Sequence, residues 1–290
     1  MNVAELIVDC NNEHGEGVFW DAMNKKIWWT DIFAKKIWSF DPETASTASF
    51  DMPSPVCCFA PRARGGFIIA FNDRVSLFDL DKGELECIHQ FEPSNPNTRL
   101  NDGRTDRDGN FIAGGMNDVT FEADSSVIRV GHDHSVETLI DNVACANSIC
   151  FSPKGDSMYF ADTPSGEIIE YAYQPCSPSL VKSRQLMSFN DEPGIPDGSC
   201  VDSEGGVWNA EWEGGRVVRI NSKGEVDFIV QVPVCKPTCC AFGGENLDTL
   251  FITTSRLLSS DHVIQSEPGT GGLFAIKPGF TGVVDSVFRG

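Results

Sequence analysis

The chain has 290 residues, 41% of them hydrophobic and 22% charged, with a formal net charge of -20. This is a globular composition and not a disordered one, and its acidity opposes binding to phosphate backbones or anionic membrane surfaces. No apolar run approaches the roughly 20 residues that span a bilayer. The opening MNVAELIVDCNNEHGEG lacks the basic flank, apolar stretch and small-residue cleavage site of a signal peptide. The expectation is a cytoplasmic protein with no nucleic-acid or membrane partner.

In chain order, short strand-like runs alternate with turn residues, and no long helical stripe interrupts them. KKIWWTDI is followed by KKIWSFD, GGFIIAF by RVSLFDL, and GNFIAGG by SVIRVG. DSMYFADT is followed by GEIIEYAY, GGVWNAEW by GRVVRINSKG, and DTLFITTS by GGLFAIKPG. Each unit has the same grammar: a polar turn, an apolar strand, a turn, then a second, alternating strand. The leading strands centre near Trp29, Ile68, Phe111, Tyr159, Trp208 and Phe251. Their spacing of about 40 to 50 residues is that of propeller blades.

Six such units predict an all-β, six-bladed β-propeller. Each blade must pack on its neighbours, because it cannot bury both faces alone. With no linker-like stretch, residues 1–290 read as one domain. The strand-like segments AELIVD and VVDSVF at the two ends are expected to share the blade that closes the ring. Two β-sandwich domains also predict many short strands, but not six matched units.

In a propeller the site residues come from different blades, one polar group per repeat. Just before the leading strands, four repeats carry HGEGVFW with Glu16, RLNDG with Arg99, Asn101 and Asp102, ANSICF with Asn147, and GIPDGS with Asp197. Glu16, Asn101, Asn147 and Asp197 stand about 10 to 13 residues ahead of their strand centres, which predicts a ring at one mouth of the channel. Glu, Asn and Asp are hard oxygen donors suited to a divalent cation with open positions. Taken singly, Asp197 in Pro-Asp-Gly reads as a turn residue, and Glu16 as a solvated loop residue.

Several signals carry less. Eleven cysteines contain no C-x-x-C pair, and adjacent Cys57-Cys58 and Cys239-Cys240 point to opposite faces of their strands. They read as reduced, buried, small apolar residues. His132 and His134 sit at a hairpin tip and read as exposed turn residues. His14 reads as a loop residue beside the ring, with a supporting place behind the ligands as the alternative, and Trp20 or Trp212 as candidate channel-lining residues. No G-x-S-x-G elbow, P-loop or dinucleotide fingerprint is present.

The motifs GEGVFWD with WWTDI, RLNDG with AGGM, ANSICFSPKG with MYFADT, IPDGSCVDSEGGVWNAEW with GGRVVRI, and KPTCCAFGGENLDTLFITT run through nearly the whole chain. In these motifs the chain resembles the SMP-30/gluconolactonase (regucalcin-like) family. The resemblance implies a six-bladed propeller that binds one divalent metal ion and hydrolyses a sugar lactone to the aldonic acid. Carried over by position, the metal ligands correspond to Glu16, Asn147 and Asp197, and the substrate-contacting Arg and Asn to Arg99 and Asn101. Asp102 and Arg104 are then expected to fix the loop or face solvent.

One departure from the family pattern stands out. Some members carry a substrate-contacting Glu shortly after the AGTM stretch. Here the segment is AGGMNDVTFE, with Val119 near that place and Asp118 or Asn117 as the substitute. The reaction this implies is attack of water on the lactone carbonyl, with the metal polarising the carbonyl and Asp197 accepting the proton. Oxygen-only ligation suggests calcium, magnesium or manganese, and the resemblance adds zinc or iron(II). The competing functions are a metal-dependent hydrolase of another ester or phosphotriester, and a non-catalytic calcium-binding or protein-interaction propeller. The partner expected is a small sugar lactone, and the oligomeric state is open.

Overall fold

A computed structural model describes residues 2–177 and 179–290. Its strands form six antiparallel sheets of four strands each, arranged as the blades of a propeller. Blades one to five are simple meanders in chain order. Their innermost strands are Gly15–Asp21, Val56–Pro61, Thr98–Thr105, Ala146–Phe151 and Ile195–Val201. Blade six starts from Pro237–Gly243 and borrows its outermost strand, Glu5–Val8, from the N-terminus.

The leading strands read from sequence are second strands. Lys26–Asp31, Phe67–Phe71, Phe111–Asn117, Ser157–Asp162, Val207–Trp212 and Thr249–Thr254 each pair with an inner strand on one side and a third strand on the other. Enclosed on both faces, they read as near-continuous apolar runs. The outermost strands, such as Ser46–Asp51, are mostly exposed and polar.

The core lies between blades. Trp29 stacks on Trp38 with ring centroids 5.8 Å apart, and Trp208 meets Phe242 edge-on at 5.4 Å. The Trp29 and Trp208 indole N–H groups donate to Asn12 and Asp202, whereas the Trp38 N–H has no partner among the described residues. Trp20 joins this packing between blades one and six.

The C-terminal segment departs from expectation. The ring closes through Glu5–Val8 on Leu273–Ile276. VVDSVF, residues 283–288, forms no strand there and crosses the lower face instead. Ser203 N–H donates to Thr281 O, Phe288 N–H to Pro61 O, and Arg289 N–H to Gly109 O, which ties blades five, two and three together. Phe288 is fully buried, and Asp285 pairs with Arg104 at 2.6 Å. No helix among the described residues is long and apolar enough to cross a membrane.

Candidate active site

All six inner strands are irregular at the same level. The pairing register slips by one residue between Glu16 and Phe19, Val56 and Cys58, Leu100 and Gly103, Asn147 and Cys150, Pro196 and Ser199, and Pro237 and Cys239. A β-bulge bends its strand and re-aims a side chain. At or beside these bulges lie Glu16, Cys57, Asn101, Asn147, Asp197 and Thr238, one from each blade. In blade four the bulge holds Ser148 at φ 59°, the left-handed region.

Glu16, Asn101, Asn147 and Asp197 line one cavity of about 470 Å³ at a mouth of the channel, together with Arg99 and Asp118. That volume suits a small-molecule ligand. The six residues predicted from sequence are therefore brought together. Thr238 closes the ring elsewhere: its Oγ1 donates to Gly15 O and lies 2.9 Å from Thr253 Oγ1.

The oxygen donors are held in place. Asn147 Nδ2 donates to Thr163 Oγ1 at 2.8 Å, and Thr163 Oγ1 donates to Pro196 O at 3.1 Å. This fixes the amide with Oδ1 as the acceptor turned to the cavity, where its one protein partner among the described residues is Asn101 Nδ2 at a long 3.4 Å. Glu16 Oε2 accepts from Gly17 N–H at 2.8 Å, which leaves Oε1 uncommitted. The Asp197 backbone carbonyl is gripped by Ser148 Oγ at 2.7 Å and Asn209 Nδ2 at 3.0 Å.

Electrostatically the floor of the cavity is frustrated. Burial, then the neighbouring Asp102, pushes the Glu16 carboxyl up to about 8. Burial, then Glu16 and Asp102, raises Asp197 well above the usual carboxylate range. Burial also raises Asp102, although its oxygens accept from Ile149 and Gly103 N–H. Among the described residues no cluster of three or more His, Cys, Asp or Glu side chains forms a metal site; the donors here are two carboxylates and an amide. Buried, mutually repelling carboxylates with free oxygens, joined by an oriented amide oxygen, fit a hard divalent cation.

The remaining expectations divide. Arg99 Nε donates to Asp118 Oδ2 at 2.8 Å, and Nη1 to Asn101 Oδ1 at 2.9 Å. Asn101 Nδ2 donates to Ala146 O at 3.0 Å. Asp118 lines the cavity as the partner of Arg99, whereas Asn117 is fully buried and organises its own loop by accepting from Val119 and Thr120 N–H. Val119 is exposed. Asp102 ties blade three to blade four, and Arg104 lies buried in the channel on Asp285 and Ser199 O, so neither faces solvent.

His132 and His134 occupy the turn between Ser125–Val130 and Val136–Val143, as expected. His14 is more than a loop residue beside the ring. It is buried, lines the cavity, and is flanked by Phe33 and Trp212. Burial, then Arg99 and Lys236, lowers its pKa to about 3. Thr163 was also missed, although it directly follows the MYFAD strand that pairs with Asn147.

A family model described as the SMP-30/Gluconolactonase/LRE-like region matches residues 14–256. The chain belongs to this family. It is 35% identical over 292 residues to the L-arabinolactonase of Azospirillum brasilense, covering 99% of this chain and 96% of that one. It is 32% identical to the 6-deoxy-6-sulfogluconolactonase of Pseudomonas putida, covering 95% of each. Among solved structures, the calcium-binding protein regucalcin from Agrobacterium tumefaciens superposes with a TM-score of 0.93 at 25% identity, covering 99% of this chain and 98% of the other.

Proposed function

We propose that this protein is a sugar lactonase that uses one divalent cation to open an aldonolactone to its aldonic acid. One observation carries the reading: oxygens of Glu16, Asn147 and Asp197 converge with Arg99 and Asn101 on a single cavity of sugar size. Relatives named as lactonases of arabinose- and gluconate-type substrates, matched over almost their whole length, support it.

In this reading Glu16, Asn147 and Asp197 hold the cation, which supplies positive charge where a carbonyl oxygen becomes negative. Arg99, braced by Asp118, and Asn101, braced by Ala146 O, orient the ring oxygen and hydroxyls of the substrate. Asp197 accepts a proton from the attacking water as its oxygen bonds to the carbonyl carbon. The acyl–oxygen bond of the ring then breaks, and the proton passes from Asp197 to the departing ring oxygen. The gripped backbone of Asp197 keeps its carboxylate aimed through both steps.

The test is proton release on a panel of aldonolactones, using metal-stripped protein and protein reloaded with calcium, magnesium, manganese, zinc or iron(II) singly. Rapid hydrolysis of a few lactones, dependent on added metal, is expected. No acceleration with any metal would refute the reading, and calcium binding without ester hydrolysis would favour a non-catalytic propeller. Asp197→Asn should keep the fold and lose nearly all turnover; retained turnover would remove Asp197 from the chemistry.

A further inference from the structure

Resting on the lactonase reading above, we propose that His14 is a specificity-determining residue. Its bare Nε2 accepts a hydrogen bond from a substrate hydroxyl, so the enzyme selects lactones carrying a free hydroxyl at that position.

The tautomer follows from the contacts of Ser255. Its Oγ lies 2.8 Å from His14 Nδ1, donates to Glu13 O at 3.0 Å, and accepts from Leu257 N–H at 3.0 Å. A hydroxyl has one proton. With that proton on Glu13 O, the contact to His14 is made by Nδ1–H, and all three contacts are satisfied. The opposite tautomer would take the proton from the Ser255–Glu13 contact and leave Glu13 O with Arg256 N–H alone, at 3.1 Å. In the neutral ring, Nδ1–H leaves Nε2 as a lone pair.

Nε2 has no protein partner among the described residues, and it is not one of the enclosed polar atoms that lack one. Since His14 lines the cavity, Nε2 opens into it. The ring cannot swing away, because Phe33 and Trp212 flank it with centroids 5.6 Å distant on either contact. The ring is thus a fixed acceptor beside Arg99, whose Nε and Nη1 are already engaged by Asp118 and Asn101.

An acceptor that a bound substrate shields from water demands a donor. A substrate hydroxyl supplies one. A methylene at the same place would strip Nε2 of water and return nothing, and a carboxylate or sulfonate there would set lone pair against lone pair. The substrate is therefore a polyhydroxy lactone, uncharged at the position that His14 reads.

Two measurements test this on the full-length, metal-loaded protein. In the first, ¹⁵N-histidine NMR, with the His14 signals assigned by their loss in His14→Phe or His14→Gln, should show Nδ1 protonated and Nε2 bare. A protonated Nε2 over a bare Nδ1 would overturn the proposal, whatever the protein hydrolyses. In the second, wild type and His14→Phe are compared on the preferred lactone and its monodeoxy analogues. Wild type should disfavour one analogue by about tenfold to a hundredfold in kcat/KM, the range for one buried hydrogen bond. His14→Phe keeps the aromatic packing without the acceptor. It should shrink that ratio to within about twofold, mainly through KM, and leave the other positions unchanged. His14→Leu replaces it if the Phe variant does not fold, and His14→Gln, which retains an acceptor, should restore part of the preference.

Equal discrimination by wild type and variant at every position refutes His14 as the reader. Hydrolysis of no lactone by wild type with any divalent ion instead removes the functional reading, and the substrate part of this proposal with it.

Discussion

Replacing Glu16 by Gln should stabilise the metal-free protein while destroying its use of metal. Glu16 is 9% exposed and its carboxyl is displaced from 4.5 to about 8, by burial first and then by Asp102. A carboxyl whose folded pKa is raised binds its proton more tightly folded than unfolded. Stability is therefore fully present below the unfolded value and drains away as pH rises through the folded one. At about 1.4 kcal/mol per unit, the displacement sets a ceiling near 5 kcal/mol for what ionising Glu16 costs the apo-protein.

The amide of Gln can keep the Gly17 N–H contact through its oxygen and carries no charge to bury. In chelator at pH 8.5 we expect Glu16→Gln to be more stable than wild type by on the order of 2–4 kcal/mol, narrowing to about 1 kcal/mol at pH 5. With an unfolding entropy of about 2 cal/mol/K per residue, a gain of 2 kcal/mol raises Tm by about 3 °C. Urea denaturation with and without a divalent cation measures both halves. Wild type should gain stability on metal addition at pH 8.5, and the variant should gain little. Equal or lower stability of the variant in chelator at pH 8.5 would refute the electrostatic account of this site.

Other perturbations separate the scaffold from the site. Asp285→Asn leaves Arg104 buried in the channel without its charge partner and should cost about 3–5 kcal/mol by denaturant unfolding; a loss under about 0.5 kcal/mol would mean that the tail does not seal the channel. Gly198→Ala would set a Cβ 2.6–2.9 Å from Cys239 Sγ, Cβ and Cα. It should cost about 1–3 kcal/mol and, by moving Asp197, most of the turnover. Gly205→Ala has open space but a φ of 86°; it should cost about 1 kcal/mol and spare activity.

The blade count and the second strands were legible from sequence because those strands are enclosed by neighbours on both sides. Their apolar runs, bracketed by turns, leave no other way to bury Trp29, Phe111 or Trp208. Four of the polar groups that line the cavity were equally legible, because one acid or amide recurs ahead of four of the six such strands.

The innermost strands were not. RLNDG and IPDGS carry the glycine, proline and short polar residues of turns, and nothing local distinguishes a turn from a bulged strand facing a channel. Their extended form is imposed by hydrogen bonds to the second strand, and their close spacing by adjoining blades, as where Gly198 meets Cys239. His14 was read as a loop residue for the same reason: its ring is held by Ser255, 241 positions away. The C-terminal VVDSVF has the alternation of a strand, yet Leu273–Ile276 already offers its free edge to Glu5–Val8, so the tail lies across the channel and Asp285 meets Arg104. Local pattern determined what each blade is made of. Competition among distant segments for the same edges and the same buried space decided where the chain ends lie and which side chains face the cavity.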